Sequence, residues 1–124
     1  MGGTVLIIED NEQNLYMMRF LLEHHGFVVV TAADGQAGIE EAVRLRPDAI
    51  LLDLQLPDMD GYAVAARLRA HPQLAATPVI AVTSYAMVGD RERILAAGAN
   101  GYIEKPIDPE RFVDQIRAYL PGAA

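Results

Sequence analysis

Hydrophobic positions along this chain fall into two rhythms that take turns. Short, nearly unbroken apolar runs rich in β-branched residues occur at TVLIIE (4–9), FVVVTA (27–32), DAILLD (48–53), PVIAVTS (78–84) and GYIE (101–104). Such runs read as strands buried on both faces. Between them lie stretches whose apolar residues recur at helical spacing, over 12–25, 35–46, 62–71, 89–97 and 109–120. The fourth of these has a possible earlier start near Met87. In 35–46 the apolar set is Ala37, Ile39, Ala42, Val43 and Leu45, a broad face on one side of a helix. The punctuation agrees with this division. Asn11 is placed to cap the first helix, Gly26 and Gly98 to stop the first and fourth, Pro47 and Pro72 to close the second and third, and Pro109 to open the fifth.

Five strand–helix units in alternation predict an α/β fold, a doubly wound parallel sheet with helices on both faces and right-handed crossovers. The domain is expected to run from residue 4 to 120, with 121–124 as a short tail. At 124 residues the chain is long enough for one domain with a real core. Composition narrows the classes. No cysteine is present, which removes disulfides and thiolate metal sites and fits a reducing, cytoplasmic setting. No apolar run approaches the roughly 20 residues of a membrane span, and the start carries no basic, cleavable leader. A net charge of −7 repels a nucleic acid backbone, so no DNA or RNA partner is expected.

In an open parallel sheet, ligands bind at the carboxyl ends of the strands, where strand order reverses. Here the first strand ends in Glu9–Asp10, the third in Asp53, the fourth in Thr83–Ser84 and the fifth in Glu104–Lys105–Pro106. With a strand order of 2-1-3-4-5, three carboxylates meet at one edge. Like charges so crowded need a counter-charge, and a hard divalent cation such as Mg²⁺ suits carboxylates, waters and a phosphoryl oxygen. Lys105 adds an ammonium and Thr83 a hydroxyl donor. A central carboxylate in that setting, Asp53, is a natural nucleophile for phosphoryl transfer. Taken singly, each residue has a plainer account: Glu9–Asp10 as a helix cap, Lys105 as a solvated lysine, Thr83 as an ordinary strand residue. Asp58 and Asp60 read as a solvated turn residue and a helix cap. His24 and His25 read as favourable charges at a helix C-terminus.

Four stretches in order, LIIEDN, LLDLQLPDMDG, VIAVTS and GYIEKPI, resemble the receiver domain of bacterial two-component response regulators, the CheY-like family. Within it, EDNEQN and TSYAM are most similar to single-domain cell-division regulators of the DivK type. The resemblance implies strand order 2-1-3-4-5 and a phosphoacceptor at Asp53. It implies Mg²⁺ held by Asp10, by Glu9 through water, by Asp53 and by the backbone carbonyl of Gln55. Glu9 stands where an aspartate is commoner. Thr83 and Lys105 match the groups that contact the phosphoryl group, and Thr83 with Tyr102 the switch pair. The Lys105–Pro106 bond is often cis in the family. Gln55 and Tyr85 match the positions that tune dephosphorylation, and the bulk of Tyr85 implies a phosphate lifetime longer than in fast chemotaxis signalling.

The implied donor is a histidine kinase or histidine phosphotransfer protein, docking on Asn14, Met17, Pro106 and Ile107. Output is expected through the face of helix 4, strand 5 and helix 5, from a monomer or a weak, phosphorylation-dependent dimer. The protein is expected to be a signalling switch whose site supports its own phosphorylation and slow autodephosphorylation. Other readings remain open at this point. One is a receiver cut from a hybrid kinase or longer regulator, against which Met1 and the PGAA ending count mildly. Another is a relay intermediate with no output of its own. A different class is a Mg²⁺-dependent aspartyl-phosphate phosphatase or transferase, which usually carries a second aspartate two residues after the nucleophile, where this chain has Gln55.

Overall fold

A computed structural model describes residues 3–84 and 88–120. Its strands are β1 (Thr4–Ile8), β2 (Val28–Ala32), β3 (Ala49–Asp53), β4 (Val79–Thr83) and β5 (Gly101–Glu104). They form one sheet in the order β2-β1-β3-β4-β5, with every neighbouring pair parallel. The helices are α1 (Glu12–His24), α2 (Gly35–Leu45), α3 (Gly61–Arg69), α4 (Val88–Ala96) and α5 (Phe112–Arg117).

The strands are mostly hydrophobic because helices cover both faces of the sheet, with Val28 on the edge strand β2 left exposed. Leu6, Ile8, Ile50, Leu52, Val79 and Ala81 point to one face, where they pack with Ile39 and Ala42 of α2, Val64 and Leu68 of α3 and Ile94 of α4. The alternate residues Val5, Ile7, Leu51, Ile80 and Val82 point to the other, against Met18 and Leu22 of α1 and Phe112, Val113 and Ile116 of α5. Two core layers, one on each side of a five-stranded sheet, follow from the period-two alternation of strand side chains.

Capping residues set the helix starts. Asn11 Oδ1 accepts from the Asn14 amide at 3.0 Å, and Asp60 Oδ1 from the Ala63 amide at 2.8 Å. Gly26 and Gly98 take positive φ values of 89° and 119°, the left-handed backbone that suits glycine at a helix end.

The fifth helix is shorter at both ends than the sequence expectation, closing at Arg117, and the third ends early. The fifth helix begins at Phe112 and not at Pro109. Asp108 explains the delay, because its side chain accepts from the Glu110 amide and its carbonyl from the Arg111 and Phe112 amides, so residues 108–111 form a turn. The third helix ends at Arg69, and Pro72–Leu74 form a separate 3-10 turn. There Arg69 reaches back to the carbonyls of Gly98 and Leu74, at 2.8 and 2.9 Å, tying the end of α3 to the turn before β5.

Candidate functional site

Strand register places the chemistry. Ile8 pairs with Leu52, so Glu9 and Asp53 follow side by side at the ends of β1 and β3. Asp53 pairs with Val82 and Thr83 with Glu104, which brings Lys105 to the same edge. The Lys105 amide donates to the Thr83 carbonyl at 2.9 Å, and the Lys105–Pro106 peptide bond is cis.

Glu9, Asp10 and Asp53 each bring a carboxylate oxygen within 4.8 Å of the others. Glu9 and Asp53 are 1% and 6% exposed, while Asp10 is open to solvent. Lys105, the chain's sole lysine, sets its Nζ 3.1 Å from Glu9 Oε1 and 3.4 Å from Asp53 Oδ1. That approach balances charge without hydrogen-bond geometry at Glu9, whose buried Oε1 accepts no hydrogen bond; its Oε2 accepts from the Asn11 amide at 3.3 Å. Burial pushes the Glu9 carboxyl up from about 4.5 to about 7, the Asp53 carboxyl beside it pushes the same way, and Lys105 only partly offsets the two. Three clustered carboxylates, an under-satisfied buried oxygen and one ammonium make an oxygen-lined site that can hold Mg²⁺.

Asp53 Oδ1 also accepts from the Gln55 amide at 3.1 Å, so the loop after β3 orients the carboxylate. This loop is compact. Gln55 bridges Asp60 and the Gly61 amide donates to the Leu54 carbonyl at 3.0 Å. A Cβ on Gly61 would sit 2.5 Å from Leu54 Cα and 3.0 Å from the Asp53 carbonyl oxygen, both backbone atoms that cannot swing aside. Gly61→Ala is therefore expected to cost about 1–3 kcal/mol of stability in denaturant titration and to shift the Gln55 amide off Asp53.

Around this centre a polar cleft is lined by Glu9, Asp10, Asn11, Asn14, Gln55, Ser84 and Lys105, among others. Thr83 is 2% exposed at the end of β4 and does not line the cleft, whereas Ser84 does. Tyr102 is half-buried against the core, with the Arg91 guanidinium 5.1 Å from its ring centroid. Tyr85 lies outside the described residues.

The four candidate docking residues are divided. Asn14 lines the acidic cleft, and Met17, 41% exposed, lines an apolar groove along α1 with Tyr16, Phe20 and Pro109. Pro106 is exposed, but Ile107 is buried in the core layer of α1 and α5. His24 stacks on Phe20 and His25 Nδ1 lies 2.9 Å from the Leu21 carbonyl, both remote from the cleft.

Sequence reasoning missed Asp58. Though exposed, its Oδ1 accepts from the Gly35 amide at 2.7 Å and its Oδ2 from the Gln36 amide at 2.9 Å. These backbone donors at the start of α2 hold its carboxyl below the ordinary aspartate range. Its partners lie on another helix, so no local signal marked it.

A family model for the response regulator receiver domain matches residues 5–117. The polar-differentiation response regulators DivK of Brucella anthropi and Brucella ovis are each 42% identical over 123 residues, covering 99% of this chain and all of the relative. Among solved structures, the chemotaxis regulator CheY4 of Vibrio cholerae matches with a TM-score of 0.92 at 28% identity, covering 97% of this chain and all of that one. The receiver domain of a sensor histidine kinase from Pseudomonas aeruginosa, solved with a magnesium ion coordinated in its active-site cleft, matches at 0.88 and 36% identity. That alignment covers 96% of this chain and 98% of that receiver domain.

Proposed function

The chain belongs to the response regulator receiver domain family of two-component signalling, and on that footing we propose that it takes a phosphoryl group from a phosphohistidine donor onto Asp53. The observation that carries this reading is the position of Asp53, the last residue of β3, 3.4 Å from the Lys105 ammonium and clustered with Glu9 and Asp10. In the transfer, an Asp53 carboxylate oxygen attacks phosphorus, a P–O bond forms, the P–N bond breaks and the electron pair returns to the donor imidazole. When bound, Mg²⁺ would supply the positive charge that lets the carboxylates and an incoming phosphoryl group approach. Glu9, Asp10, Asp53 and the Gln55 carbonyl would hold it, Glu9 through water. Lys105 pairs with a phosphoryl oxygen and the Thr83 hydroxyl donates to another.

Receivers of this family are signalling switches. Here phosphorylation shifts an existing equilibrium, read through Thr83, Tyr102 and the face of α4, β5 and α5. The donor, a histidine kinase or phosphotransfer protein, docks over Asn14, Met17 and Pro106. The acyl phosphate is lost slowly by autodephosphorylation, and the protein works in the cytoplasm as a monomer or weak phosphorylation-dependent dimer. The DivK relatives, covered over their whole length, favour a stand-alone regulator; the 36% identity with a kinase receiver favours a receiver joined to a kinase as the second reading.

Beryllofluoride or acetyl phosphate with Mg²⁺ tests the proposal. Amide chemical shifts around Asp53, Thr83 and Tyr102 are expected to move. No response to either reagent would overturn it.

A further inference from the structure

The loop that follows Asp53 is tied down at its far end as well as its near end. At the near end the Gln55 amide holds Asp53 Oδ1. At the far end the Asp58 carboxylate spans the Gly35 and Gln36 amides of α2, and Met59 packs against Gly35 so closely that a Cβ there would sit 2.6 Å from its Cγ. Asp34 also caps α2, accepting from the Ala37 amide at 2.8 Å, but it belongs to the chain before the helix and not to this loop. The two aspartates therefore separate two jobs: both satisfy amides of one helix, and only Asp58 joins that helix to the loop carrying Gln55.

We propose that Asp58 is a positioning residue of the phosphoacceptor site, anchoring the β3–α3 loop on α2 so that Gln55 holds Asp53 and the bound cation in register. The proposal rests on the phosphoacceptor reading of Asp53. Asp58 touches neither cation nor phosphoryl group. It acts through Gln55, which sits only three positions back along the loop, with the Gln55–Asp60 bridge closing the segment between them. A loop freed from α2 keeps its β3 end but loses its outer support, so the Gln55 amide and carbonyl wander relative to Asp53. Loss of geometry at that distance weakens a cation site without removing a ligand.

The experiment compares wild type, Asp58→Ala, Asp58→Asn and Asp34→Ala in the full chain. Mg²⁺ dissociation constants and acetyl-phosphate phosphorylation rates at saturating Mg²⁺ are measured alongside denaturant stability. For Asp58→Ala, Mg²⁺ affinity is expected to fall on the order of tenfold, with a parallel loss of rate. Asp34→Ala loses an α2 cap and comparable stability, yet both site readings stay within about twofold of wild type. Asp58→Asn keeps one acceptor and falls between, and it serves as the folded test should the alanine variant fail to fold. Equal site losses in Asp34→Ala and the Asp58 variants, or no loss in the latter, would overturn the proposal while leaving the phosphoacceptor reading intact. A wild type that neither binds Mg²⁺ nor accepts a phosphoryl group overturns both.

Discussion

Asp53→Asn is expected to lower phosphorylation by acetyl phosphate with Mg²⁺ on the order of 10⁴-fold or more, below detection by intact-mass measurement. The substitution keeps size and keeps an oxygen that can accept from the Gln55 amide. It removes the charged oxygen that attacks phosphorus, and an amide forms no acyl phosphate. The fold should survive. Asp53 is one of three crowded carboxylates, and its charge helps push Glu9 up to about 7. Neutralising it relieves that repulsion, so metal-free Asp53→Asn should be at least as stable as wild type at pH 8 while binding Mg²⁺ more weakly. Calorimetry with and without Mg²⁺ reads both effects. Phosphoryl incorporation at the wild-type rate would move the acceptor to another residue.

The second large effect is a pH dependence of opposite sign with and without metal. A carboxyl raised in the folded state favours its protonated form. The stability Glu9 contributes is thus fully present below its ordinary value near 4.5 and is lost as pH rises through about 7. A shift of that size corresponds to roughly 3 kcal/mol across the window. Mg²⁺ favours the ionised form, so its affinity should rise across pH 5–8, and binding near pH 6 should release a proton. Thermal melts along a pH series are the measurement. Relative to Glu9→Gln, the metal-free protein should lose stability toward pH 8, and saturating Mg²⁺ should restore it. Mg²⁺ stabilisation independent of pH would assign the cation to the aspartates alone.

Local chemistry carried much of the fold. The apolar runs were long enough to mark each strand within a residue or two, and Asn11, Asp60, Gly26 and Gly98 announced helix ends because their effects act within a single turn. The rest turned on two physical causes, one local and one remote in sequence. Pro109 is a good first residue for a helix, yet Asp108 draws the amides of residues 110–112 into a turn, a competition that periodicity does not register. Asp58 looked like a solvated turn residue because its hydrogen-bond partners are 22 and 23 positions away. Burial of Ile107, which the resemblance puts at a docking surface, likewise comes from packing against the remote layer of α1 and α5.

Strand length, alternation and turn chemistry placed each strand end to within a residue or two, and so put Glu9, Asp10, Asp53, Thr83 and Lys105 at or just beyond strand ends. How closely they approach, and in what surroundings, comes from strand register and packing. Register between β1 and β3 sets Glu9 beside Asp53, burial raises the Glu9 carboxyl, and Lys105 arrives from the far end of the chain to balance them. Distances and desolvation belong to residues remote in sequence, and no local pattern encodes them.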